Sequence, residues 1–221
     1  MSKNNRNSNY QTEKREAMRL AQQAALKKEK RDKILKWTLI PTSVLLVIAI
    51  VVTVLFSAGV FGYKVTHTAK IVILGYGTVE LELYGEEAPI TVQNFVKLAE
   101  ENYYEATTFH RIIEGFMAQG GAGDGSAASI KGEFFANGVQ NSIKHERGVI
   151  SMARAGDEYS GFDTASSQFF IMQEAAPHLD GQYAAFGKVT KGMDVIDKLC
   201  RGGREGREYN VEIINVYVYE K

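Results

Sequence analysis

Residues 109–121 read FHRIIEGFMAQGG. One permanent cation, Arg111, stands among Phe109, Ile112, Ile113, Phe116 and Met117, and an uncharged amide, Gln119, follows. A charge in so apolar a run is either a core cation paired with a carboxylate or the polar point of an apolar pocket. Read as a strand, 109–113 puts Phe109, Arg111 and Ile113 on one face and His110 and Ile112 on the other. Gly115 permits a bend, after which Met117 and Gln119 share a face.

The surroundings read mostly as strands. Lys70 to Leu74, then Gly75-Tyr76-Gly77, then Thr78 to Tyr84 has the pattern of a hairpin. In its second arm Val79, Leu81 and Leu83 alternate with Glu80 and Glu82. The segment PITVQNFVKLAEENYY has Val92, Phe95, Val96 and Ala99 at helical spacing, with Thr91 as its expected cap. Short strand-like runs follow (GVISMARA, SQFFIMQ, AAFGKV, EIINVYVYE), with a second short helix expected over 193–199. Many short strands and only two helices predict a closed β-barrel, not a βαβ fold.

Charge divides the 221-residue chain into three. Residues 1–36 hold eleven Lys/Arg against four Asp/Glu, residues 37–63 hold none of either, and residues 64–221 hold fifteen against twenty-two. The basic excess belongs to the tail, so the balanced whole-chain charge is no sign of nucleic acid binding. The uncharged run WTLIPTSVLLVIAIVVTVLFSAGVFGY over 37–63 exceeds the ~20 residues a helix needs to cross a bilayer. Trp37 and Tyr63 stand where interfacial aromatics belong. A cleaved signal peptide ending near Ser57-Ala58-Gly59 is the rival reading. The run is far longer than a signal h-region and its basic leader is long, which favours an uncleaved anchor. The positive-inside rule then predicts a cytoplasmic N-terminus, with 64–221 across the membrane. The tail lacks Gly and Pro over 11–36 and is rich in helix formers, so it reads as a helix on anionic lipid or as a solvated segment.

Other chemistries find little support. His67, His110, His145 and His178 show no metal-pair spacing, and no G-x-S-x-G occurs. The run Gly120 to Gly125 lacks the Lys-Ser/Thr ending of a phosphate loop. The single cysteine, Cys200, excludes an intramolecular disulfide and reads as a small buried hydrophobe. No cofactor is expected.

FHRIIEGFMAQGG closely resembles the signature of the cyclophilin-type peptidyl-prolyl isomerases. The resemblance continues in order through ITVQNFVKLAEENYY, KGEF, HERGVISMARAG, SQFFI and HLDGQYAAFGKVTKGMDVID to the final strand, over about residues 68–220. It implies an eight-stranded antiparallel β-barrel capped by two helices, with the active site on the barrel's outer surface. It implies that Arg111 is the catalytic arginine and Gln119 the glutamine that supports it and contacts substrate backbone. Phe116, Met117, Phe170 and Leu179 match the pocket for the proline ring. Ala153 and Gln168 match cleft-lining positions, and His178 and Tyr183 match others at its rim. His110 also matches a family position, but strand alternation turns it away from Arg111.

The family's chemistry explains these residue types. An X-Pro bond isomerises against ~18–20 kcal/mol of amide resonance. Rotation needs no nucleophile, acid or metal. A guanidinium donating to the proline nitrogen favours the twisted state, in which the lone pair has left the amide. Arginine stays protonated and rigid, and an apolar surround strengthens the contact. An acceleration of 10⁵ requires about 7 kcal/mol, to be shared between that contact and pocket binding.

The departures from the family pattern are few. Glu114 stands where proline is usual, on a turn where little effect is expected. The loop GDEYSGFDTASS is longer than the common form, and the glycine loop after Gly121 is shorter. His178 stands in place of the tryptophan of drug-sensitive members, which implies weak or no cyclosporin binding. Tyr183 replaces a common histidine. The resemblance thus implies an isomerase of proline-containing polypeptides, and the uncharged run over 37–63 behind a basic tail predicts that it is membrane-anchored and acts on exported chains. The alternative is a non-catalytic proline-binding scaffold or holdase of the same fold.

Overall fold

The computed structural model describes residues 18–20, 22–34, 47, 49–50, 62–156 and 161–221. The chain divides into two compact units, Met1–Gly62 and Tyr63–Lys221. In the first, 22–34 is helical with exposed side chains, and Lys33 pairs with Glu29 one turn earlier at 2.8 Å. Among the described residues no helix is long and apolar enough to cross a membrane. The span expected over 37–63 lies outside them, apart from Val47, Ala49, Ile50, Gly62 and Tyr63. Tyr63 belongs to the second unit: its ring lies 5.1 Å from that of Tyr84, and its hydroxyl donates to the Ser142 carbonyl at 3.0 Å.

The second unit is built from strands His67–Ile73 (β1), Gly77–Leu83 (β2), Thr108–Ile113 (β3), Met117–Gly120 (β4), Val149–Met152 (β5), Phe169–Met172 (β6), Ala185–Lys191 (β7) and Val211–Glu220 (β8). Two α-helices join them, Pro89–Glu100 (α1) and Met193–Cys200 (α2). The strands close into an antiparallel barrel in the order β1-β2-β7-β5-β6-β4-β3-β8. The first hairpin forms as its alternation predicts. Val79, Leu81 and Leu83 are buried, while Glu80 pairs across the strands with Lys70 and Lys191 at 3.4 and 2.9 Å.

The barrel encloses an aromatic core. Phe95 of α1 packs against Tyr104, Phe169 and Phe186 with ring centres 5.2, 5.7 and 5.3 Å apart, and Phe109 meets Phe169 edge-on at 6.0 Å. Val92, Leu98 and Ala99 of α1 and Ile196, Leu199 and Cys200 of α2 join the same core. Burial pushes the Cys200 thiol up to about 12, assisted by Asp197 and Glu114, so this cysteine behaves as the small hydrophobe expected.

Thr91 does not cap α1. The helix begins at Pro89, whose missing N–H is harmless there, and Thr91 lies buried inside the first turn. The buried Glu133 carboxylate caps the helix from a distant loop, accepting the N–H groups of Ile90 at 3.0 Å and Thr91 at 2.7 Å.

Candidate active site

The β3–β4 hairpin carries the opening motif, and its alternation differs from the simple strand reading. Phe109 opposes Gly120 and Arg111 opposes Gln119, so His110 is an extra residue, a β-bulge. Phe109 and Ile112 therefore both face the barrel core, and Arg111 turns outward together with Ile113. The expectation that Phe109 and Arg111 share a face fails because one inserted residue reverses the facing of all that follow. That reversal brings Arg111 beside Gln119.

The turn ahead of Phe116 is held from β6's continuation. Gly115 has φ +77°, a conformation natural to glycine, and its N–H donates to Gln173 Oε1 at 2.7 Å. The Gln173 N–H returns a bond to the Phe116 carbonyl at 2.8 Å.

A second apolar cluster covers the outer face of β4, β5 and β6. Met117, Val149, Phe170 and Met172 are buried there, with Phe116, Ala153, Leu179 and Tyr183 packed on them. Of these, Phe116, Met117, Ala153, Phe170, Leu179 and Tyr183 line a cavity of about 150 Å³, edged by Arg111, Gln119 and Arg154. That volume suits a single side chain; small-molecule sites run to roughly 300–1,000 Å³. Tyr183 meets Phe170 edge-on at 5.7 Å. Among the described residues no group of His, Cys, Asp and Glu could hold a metal ion.

Polar groups meet along one rim. Gln119 Nε2 donates to Gln168 Oε1 at 2.9 Å, and Arg111 Nη1 donates to Gln119 Oε1 at 3.4 Å. The other edge of the guanidinium is bidentate on Glu205, Nε to Oε1 at 3.0 Å and Nη2 to Oε2 at 2.7 Å. The hydrogen bonds from Arg111 hold the Glu205 carboxyl below the ordinary glutamate range. Both readings of the cation thus coexist: Arg111 is paired, and it is the polar point of an apolar pocket.

Arg111, Phe116, Met117, Gln119, Ala153, Phe170, Leu179 and Tyr183, expected from sequence, converge on this cavity. Gln168, expected to line the cleft, is not among the residues lining the cavity and instead holds Gln119. His178 stacks on Phe116 at 5.9 Å, outside the cavity lining. Three neighbours were not anticipated. Arg154, next to Ala153 in the quoted MARAG, lies 4.8 Å from the ring centre of Tyr183 and 5.4 and 5.3 Å from Phe134 and Phe162. Glu205 arrives from a loop with no motif of its own.

His145 is the third. It is buried beneath the pocket and stacked on Phe170 at 6.0 Å. Its Nδ1 lies 3.2 Å from Asp180 Oδ1 and its Nε2 3.0 Å from Ser151 Oγ. An ionised carboxylate only accepts, so Nδ1 carries the proton and Nε2 accepts from the serine. Burial holds His145 below the usual imidazole range, with the Asp180 contact opposing only in part. Burial opposes ionisation of Asp180, but the His145 backbone and ring donors outweigh it and keep that carboxyl low. Ser151 is fully buried, so the three groups form a structural brace and present no nucleophile.

The model of the family described as "Cyclophilin type peptidyl-prolyl cis-trans isomerase/CLD" matches residues 68–218. Peptidyl-prolyl cis-trans isomerase B of Bacillus subtilis is 45% identical over 125 residues, covering 56% of this chain and 84% of that protein. A peptidyl-prolyl cis-trans isomerase-like 2 of Rhizopus delemar is 40% identical over 156 residues, 66% of this chain but only 28% of that much longer protein. The crystal structure of a Cryptosporidium parvum cyclophilin type peptidyl-prolyl cis-trans isomerase superposes with a TM-score of 0.61 at 27% identity, over 71% of this chain and 99% of that one. A second structure of that protein, obtained in the presence of the dipeptide Ala-Pro, gives 0.60 at 28% identity, over 70% of this chain and 99% of that one.

Proposed function

The chain belongs to the cyclophilin-type peptidyl-prolyl cis-trans isomerases, and we propose that it isomerises X-Pro bonds of exported polypeptides at the pocket edged by Arg111. Isomerase activity is that of the family and of its curated relatives. The observation that carries the assignment of the site is the juxtaposition of one guanidinium with one small apolar cavity. The cavity grips the proline ring between Phe116, Met117, Phe170 and Leu179. Arg111 donates to the proline nitrogen as the bond twists, an interaction stronger in the twisted state than in the planar one. Gln119, steadied by Gln168, supports the guanidinium and meets the substrate backbone.

On this reading residues 1–36 are cytoplasmic, 37–63 anchor the protein as a single uncleaved helix, and 64–221 work on the far side of the membrane. The support is the uncharged run behind a basic tail. There X-Pro steps limit the folding of exported chains on a scale of seconds to minutes. With His178 on the rim and Trp37 the single tryptophan, cyclosporin binds weakly.

Full-length protein in detergent, assayed on an X-Pro peptide, tests the site. Arg111→Ala should lower turnover about 100-fold or more with an unchanged circular dichroism spectrum. Arg111→Lys should recover little, since an ammonium lacks the planar fork. A near-wild-type rate for Arg111→Ala overturns the assignment. Peptide binding by wild-type protein without turnover supports the scaffold reading. Protease added to wall-stripped cells should digest 64–221 and spare the tail; digestion only after lysis reverses the topology.

A further inference from the structure

The loop between α2 and β8, residues 201–210, is tied to β3 and its turn at several points. Glu114, at the turn position where the family usually has proline, makes two of the ties. Its N–H donates to the Gly203 carbonyl at 3.1 Å, and its carboxylate accepts the Gly202 N–H at 2.9 Å. Proline has neither group. Gly203 itself sits so close to β3 that a Cβ there would lie 2.8 Å from both Cγ2 and the carbonyl oxygen of Ile112. Farther along, the Tyr209 N–H donates to the His110 carbonyl at 3.0 Å, and the Tyr209 hydroxyl accepts the Arg204 N–H at 3.0 Å. Glu205 stands between these ties.

Glu205 holds Arg111 by its Nε–Nη2 edge. A planar guanidinium gripped along one edge by two parallel bonds is restricted in rotation, and its remaining Nη1 group points to Gln119 and the pocket. The pair is exposed, with side chains 39% and 65% accessible. An ordinary exposed ion pair is weak, chiefly because two long side chains must be ordered to form it. Here the loop is already ordered by its ties to β3, so less is lost on forming the pair.

We propose that Glu205 is a positioning residue for the isomerisation: it orients the Arg111 guanidinium toward the proline nitrogen, and Glu114 supports it by fastening the loop. The proposal rests on the role assigned to Arg111. It adds a specific function to Glu114, for which the sequence suggested little effect.

Steady-state kinetics on the full-length protein test it, beside Arg111→Ala. Glu205→Ala should lower kcat about fivefold, the worth of roughly 1 kcal/mol of orientation, with KM moved less than about twofold. In an NMR spectrum the Arg111 Nε–H should exchange slowly in wild type and rapidly in Glu205→Ala. Glu114→Pro, a residue the family accepts at this turn, should lower kcat in the same direction. Added to Glu205→Ala it should cause no further loss, because the two act through one contact. A rise in kcat/KM for Glu205→Ala would mean that the carboxylate competes with substrate, and overturns the proposal. Unchanged kcat in Glu205→Ala with inactive Arg111→Ala overturns it alone; unchanged kcat in both overturns the site assignment as well.

Discussion

The inner and outer faces of β4, β5 and β6 make opposite uses of the same strands. Inward, Ala118, Ile150, Phe169 and Ile171 join a sealed aromatic core in which Tyr104, the polar ring, has its hydroxyl bonded to the Ser167 carbonyl at 3.2 Å. Outward, Met117, Val149, Phe170 and Met172 make an equally apolar layer, but Met117 and Phe170 face a cavity bordered by Arg111, Gln119 and Arg154. The contrast between adjacent residues, Phe169 inside and Phe170 outside, separates what fills the barrel from what lines the pocket.

The largest effect should fall on that pair. Phe169→Ala should cost about 3–5 kcal/mol, measured by denaturant unfolding, since it empties the centre of the ring cluster. Phe170→Ala should cost less, because the space it leaves opens to the pocket and admits water, but it should raise KM for the proline peptide. Equal stability losses would erase the distinction. Next in size is His178→Trp, which should tighten cyclosporin by about one to two decades, or roughly 1–3 kcal/mol, with peptide turnover little changed. Equal inhibition constants would show that the rim position does not govern the drug.

The smallest effect concerns His145, which supports the outer layer against Phe170 and Tyr183. Its folded pKa lies below the ordinary 6.5, so below that value the unfolded chain takes a proton that the folded protein refuses. The stability it contributes is present above 6.5 and is lost as pH falls through the folded value. Asp180 accepts from the ring, and Lys144 and His178 add repulsion to the charged form. Unfolding midpoints across this range should drop on acidification in wild type and flatten in His145→Gln. The same slope in both would place the titration elsewhere.

Much of the site was legible in advance because its residues lie in short ordered motifs. Phe116, Met117 and Gln119 follow Arg111 within one hairpin, and Phe170, Leu179 and Tyr183 belong to runs whose resemblance is specific. The hairpin over β1 and β2 and both helices also follow from local pattern. The cap of α1 was not legible, because its acceptor lies 42 residues from Thr91. Nor was Arg111's partner, 94 residues away in a glycine-rich loop with no periodicity.

Sequence by itself determined the barrel class, the isomerase family and the residue types of the pocket, since alternation, glycine placement and motif order are local properties of the chain. It also determined the uncharged 37–63 run behind a basic tail. Only the tertiary structure decided which way Arg111 faces and what holds it. The bulge at His110 becomes apparent only when β3 is laid against β4, because no residue type at that position announces an extra residue in the ladder. The grip of Glu205 exists only once the barrel has brought the loop after α2 against β3, a contact set by closure of the chain on itself and not by any neighbouring residues.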